Sequence, residues 1–106
     1  MMLIQKALAE MAGTFAMIFV GVGSILLSEK YPQSFPAFGI PIAWGAIIAL
    51  MIVVWGKTSG AHFNPAVTLA LTIAKRSPIV LLPLYWGSQL LGGLVAIGAL
   101  EGIKKL

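Results

Sequence analysis

The chain has 106 residues, 59% of them hydrophobic and only 9% charged, with a mean hydropathy of +1.00. A soluble domain carries about 25% charged residues, so this composition cannot cover a folded surface in water and calls for a lipid-facing exterior. The net charge of +4 comes from seven bases and three acids. The bases sit at segment ends with no cluster of the kind that binds nucleic acid, and with no Cys and a single His, neither a disulfide, a metal site nor a cofactor is expected.

Three apolar runs approach the roughly 20 helical residues that cross a hydrocarbon core. The first covers about residues 8–28, the second 38–56 and the third 79–100. A cleaved signal peptide is the weaker reading of the first run. It is longer than a usual apolar signal core, it holds Glu10, and no polar stretch of domain size follows. "SEKYPQSFP", between the first two runs, has two prolines and reads as a loop. "EGIKKL" closes the third run with charge.

Residues 58–75 differ from their surroundings. "SGAHF" is polar and contains Gly, and "NPAVTLALTIA" then reads as a short helix. Asn64 suits the N-cap and Pro65 the first helical position, while Lys75 and Arg76 place cations at the negative end of the dipole. Eleven residues give about 16 Å, half the core. Basic flanks on both sides predict a re-entrant element that dips in and returns. A helix lying on the surface should instead carry a charged face, and this one has only Thr68 and Thr72. The expected fold is an all-α membrane protein with three transmembrane helices and one re-entrant half-helix, forming one domain. Its orientation is weakly signed. Lys6, Lys57, Lys75 and Arg76 fall on one side, and Lys30, Lys104 and Lys105 on the other.

Irregular backbone at membrane depth survives only where protein buries it or water bathes it. Gly60 and Ala61 have almost no side chain, so their carbonyls are expected to line a narrow path, with His62 fixing the loop or lying beside that path. The positive end of the half-helix and the Asn64 amide would favour neutral hydrogen-bonding solutes over cations. Glu10 and Gln89, polar groups inside spans, are expected to support the loop, with Glu10 taking loop N–H groups or His62 as partners. Small residues at helical spacing (Ala9 and Gly13; Ser88, Gly92 and Ala96; Gly98 and Gly102) permit close helix contact.

At these residues the chain resembles the aquaporin, or major intrinsic protein, family. "SGAHFNPAVT" is similar to its first Asn-Pro-Ala loop, "AEMAGT" to its first-span Glu motif and "YWGSQLLGG" to its third span, with wording closest to the nodulin-like and bacterial glycerol-facilitator side. The resemblance implies a passive channel for water or small uncharged solutes such as glycerol, not an enzyme, in a bilayer expected to be a bacterial inner membrane. It implies that Asn64, Pro65 and Ala66 form the pore motif and that the carbonyls of Gly60, Ala61 and His62 line the pore. It also implies that Trp44, fifteen residues before Ser59, is a selectivity-filter residue; a packing or lipid-facing Trp is the plainer alternative.

The chain departs from the family in having one half where members have two inverted halves. Val67 stands where the second half's motif is followed by the filter Arg. Because the solute path of inverted repeats lies between them, one half is expected to need a complementary half or an antiparallel copy of itself. The alternatives are a non-conducting fragment, one product of a split gene, or a small membrane scaffold.

Overall fold

The computed structural model describes residues 2–106. Its elements are α1 (Leu3–Lys30), α2 (Gly39–Ser59), α3 (Pro65–Ile73), a 3₁₀ turn (Ile79–Leu81) and α4 (Leu82–Lys104). Three of these helices are long and apolar enough to cross a membrane, α4 together with the 3₁₀ turn before it. At 1.5 Å per residue α1 is about 42 Å long, α2 about 32 Å and α4 about 35 Å, against a core of about 30 Å. With nine residues α3 is about 14 Å long and reaches halfway. No strand occurs among the described residues.

α1 packs against both α2 and α4, and α3 packs against α4. Early residues of α1 and α4 share one surface groove (Ala7, Leu8 and Met11 with Pro83, Leu84 and Gly87), and their last turns share another. The two helices therefore run parallel. α2 runs against them, with Trp44 beside Gly21 and Ser59 beside Glu10.

The interior is small and polar while the exterior is large and apolar. α1 buries Ala9, Glu10, Gly13, Thr14, Gly21, Ser24 and Ser28. α4 buries Tyr85, Gln89, Gly92, Ala96 and Leu100, a stripe at spacings of four and three. Residues such as Val53, Leu90 and Leu94 face outward. This is the packing logic of lipid, where small residues let backbones approach because burial of apolar area drives nothing. At Gly92 an added Cβ would overlap the Met11 carbonyl, and at Gly13 and Gly21 it would overlap the rings of Phe63 and Trp44. Gly98 and Gly102, expected from their spacing to be packing positions, are exposed with nothing near their missing Cβ. That pair faces away from the contact stripe.

The helix ends differ from the expected bounds for local reasons. α1 begins at Leu3, where the Gln5 side chain accepts from the Met2 N–H at 3.2 Å and closes the first turn. α2 continues to Ser59 until Gly60, in the left-handed region at φ 88°, donates its N–H to the Gly56 carbonyl and ends it. α3 is two residues shorter than the eleven read from the sequence. Lys75 turns left-handed at φ 62°, and the N–H groups of Arg76 and Ser77 both bond the Leu71 carbonyl at 2.8 and 3.2 Å.

Candidate functional site: a buried carboxylate and an outward loop

The loop from Gly60 to Asn64 is fixed by one residue from outside it. Glu10 is fully buried on α1. Its Oε1 accepts from the Phe63 N–H at 2.8 Å and from Gln89 Nε2 at 2.8 Å. Its Oε2 accepts from the Ser59 hydroxyl at 2.6 Å and the His62 N–H at 3.1 Å. The Ala61 N–H donates to Ser59 Oγ at 3.1 Å. Three consecutive loop N–H groups thus converge on Glu10 and the serine it holds, an anion-cradling concavity closed around a side chain of the same protein.

The backbone bends to allow this. Gly60, Ala61 and Phe63 all have positive φ, at 88°, 54° and 56°. Ala61 and Phe63 carry a Cβ there, a conformation that costs on the order of 1–3 kcal/mol each and persists only where neighbours enforce it. The Glu10 bonds and the burial of the Phe63 ring against Gly13 are that enforcement.

With the N–H groups directed inward, the carbonyls are left over. Among the described residues none of the Gly60, Ala61, His62 or Phe63 carbonyls accepts a hydrogen bond. At membrane depth four such acceptors need a polar partner, from further protein or from water. Asn64 continues the pattern. It caps α3 by accepting the Ala66 N–H on Oδ1 at 2.8 Å. Its side-chain nitrogen forms no bond among the described residues, so its donors face out. Asn64, Pro65, Ala66 and Val67 are all exposed.

A second layer holds the first. Gln89 Nε2 also reaches Thr68 Oγ1 at 2.9 Å, and the same oxygen lies 3.0 Å from His62 Nδ1. The His62 ring packs at 4.8 Å from Tyr85, whose hydroxyl donates to the Ser59 carbonyl at 2.6 Å. Trp86 Nε1 donates to the Pro65 carbonyl at 3.0 Å. His62 therefore has two faces: its ring and N–H point into the network and its carbonyl does not. Ser59, Thr68, Tyr85 and Trp86 belong to this site although no sequence expectation named them in it. A signal for Tyr85 existed, since it sits four residues before Gln89 on one face of α4.

Trp44 lies away from the loop. Its ring rests on Gly21, eleven residues and about 16 Å along α1 from Glu10. It stands toward the opposite end of the molecule from the α3 C-terminus, as does the groove of about 400 Å³ that opens beside Asn64. That groove runs between Met17, Ile18 and Val22 on α1 and Leu90, Leu94 and Ile97 on α4. Two buried polar atoms without partners, Thr14 Oγ1 and Gln89 Oε1, belong to residues of its wall.

Comparison with known proteins agrees with this architecture. The family profile described as Major intrinsic protein matches residues 1–106. The chain is 40% identical over 98 residues to Nodulin-26 of Glycine max, covering 92% of this chain and 36% of that protein. It is 41% identical over 103 residues to Aquaporin NIP3-1 of Arabidopsis thaliana, covering 97% and 32%. It is 40% identical over 98 residues to Aquaporin NIP1-1 of Oryza sativa subsp. japonica, covering 92% and 34%. The chain spans about a third of the length of these relatives, in their N-terminal half. They are plant proteins and give the expected bacterial inner membrane no support. The chain is an integral membrane protein and belongs to the major intrinsic protein family of channels.

Proposed function

We propose that this chain is a half-unit of a passive transmembrane channel for water or small uncharged solutes such as glycerol. A complementary half, or a copy inserted antiparallel, completes the pore. The observation that carries the reading is the polarity of the loop: the N–H groups of residues 61–63 bond to Glu10 and Ser59, while the carbonyls of residues 60–63 accept no hydrogen bond among the described residues. Such a line of acceptors replaces the hydration of a neutral solute, while the donors of Asn64 and the positive end of α3 repel cations. No chemical step is required of any residue, in keeping with a family of channels rather than enzymes.

In this reading Asn64, Pro65 and Ala66 meet the second pore loop at the bilayer centre. Gly60, Ala61 and His62 line the path, Glu10 and Gln89 hold the loop, and Trp44 and Val67 shape the mouth. A pore made of two antiparallel copies has two indoles and two valines at its mouths and no Arg. It passes small neutral solutes slowly and excludes charge chiefly at the centre.

The exposed Asn64–Val67 face and the open groove beside it favour a second reading as well. The chain is then one product of a split gene and conducts nothing alone. An adjacent reading frame encoding an Asn-Pro-Ala loop followed by Arg distinguishes the two. Stopped-flow light scattering of proteoliposomes tests the first. Glycerol entry above protein-free vesicles, raised further by Trp44→Ala, is the expected result. Rapid water flow with strong exclusion of glycerol is incompatible with a Trp44 and Val67 mouth.

A further inference from the structure

The parallel course of α1 and α4, with α2 reversed, sorts the charges into two ends. Lys6, Lys57, Lys75 and Arg76 stand at the end where α3 returns to the surface. Lys30, Lys104 and Lys105 stand at the other, accompanied by Glu29 and Glu101. Glu10, the third acid of the sequence, is buried. The end with four cations therefore has no surface acid. The single ion pair among the described residues, Lys104 to Glu101 at 3.6 Å, is at the opposite end.

The turn from α3 to α4 concentrates this charge. The N–H groups of Arg76 and Ser77 are both occupied by the Leu71 carbonyl, so the turn is fixed while the Lys75 and Arg76 side chains stay exposed. A cleft of about 550 Å³ lies there, lined by Thr72, Lys75, Arg76, Ser77, Pro78 and Ile79. Its surroundings are apolar: Ile73, Ile79 and Val80 are 73%, 71% and 77% exposed. A membrane protein presents such residues to acyl chains. Two unpaired cations and a hydroxyl beside three acyl-facing aliphatic residues make a headgroup-sized amphipathic site. Arg matches the phosphodiester as a fork and Lys as a point charge.

We propose that this turn binds an anionic phospholipid of the surrounding leaflet. Lys75 and Arg76 hold the phosphate, Ser77 donates its hydroxyl, and the acyl chains lie along Ile73, Ile79 and Val80. The site is separate from the pore loop and stands whether or not the chain conducts.

The test is thermal unfolding of the purified full chain in neutral detergent, followed by circular dichroism during titration with phosphatidylglycerol, phosphatidylcholine or inorganic phosphate. Phosphatidylglycerol is expected to raise Tm, and the other two to leave it unchanged. Lys75→Gln with Arg76→Gln raises the phosphatidylglycerol concentration needed for a given Tm shift about thirtyfold, from about 1 kcal/mol per cation. Lys104→Gln with Lys105→Gln preserves it. Native mass spectrometry of the unmodified chain adds a readout that needs no variant: more phosphatidylglycerol than phosphatidylcholine retained. Equal effects of the two lipids, an equal effect of inorganic phosphate, or an undiminished effect in the Lys75/Arg76 variant overturns the proposal.

Discussion

Glu10 carries more of the loop than any other side chain. Each of its oxygens accepts two hydrogen bonds, so Glu10→Gln replaces one acceptor by an NH₂ facing two donors. The expected loss is on the order of 1–3 kcal/mol for each donor left unpaired, measured as a fall in thermal stability in detergent. Thr14 is the contrasting case on the same helix. Its hydroxyl is buried without a partner, so Thr14→Val is expected to be neutral or stabilising in the same assay. Glu10 and Gln89 were legible in the sequence because an acid or an amide inside an apolar run is an anomaly that demands a partner. Ser59 and Thr68 were not. Serine and threonine are common in membrane helices, where they bond the preceding turn, as Thr72 does to the Thr68 carbonyl and Ser88 to the Leu84 carbonyl. Only the fold separates the hydroxyls that reach across helices from those that stay at home.

At the level of elements, glycine decides how close the helices come. α1 and α4 meet where Gly92 lies on the Met11 carbonyl. A methyl there cannot be absorbed by a flexible side chain, so Gly92→Ala forces the helices apart, at about 1–3 kcal/mol. Gly98→Ala meets nothing within 4 Å and is expected to be neutral or to gain up to about 1 kcal/mol from helix propensity. Unfolding of the two variants in parallel checks the pair. Spacing alone suggested both positions for packing, because a repeat of four residues marks a face without saying what the face meets. Helix ends were similarly beyond the sequence. The half-helix stops after nine residues because Lys75 adopts a left-handed turn, a conformation that a Lys codon does not announce. The N-terminal end of α3 was readable, since Asn-Pro has a fixed meaning as cap and first turn.

For the whole molecule, the Asn64–Val67 surface is exposed beside an open groove of about 400 Å³, while the loop behind it is held by a dense hydrogen-bond network. The exposed Asn64 amide and the carbonyls of residues 60–63, which accept no hydrogen bond among the described residues, are unfavourable against lipid unless something polar meets them. That is the physical content of the half-unit proposal: the surface is met by a second pore loop. The sequence contains no Cys, so a single introduced thiol can report what lies against it. The direct measurement is photo-crosslinking in the native membrane from a benzophenone-maleimide attached at Val67→Cys, with Val53→Cys, 82% exposed on α2, as the lipid-facing reference. The account predicts a protein adduct from position 67, either a second copy of this chain or a separate chain with its own pore loop, and lipid adducts alone from position 53. Lipid adducts alone from both positions contradict it.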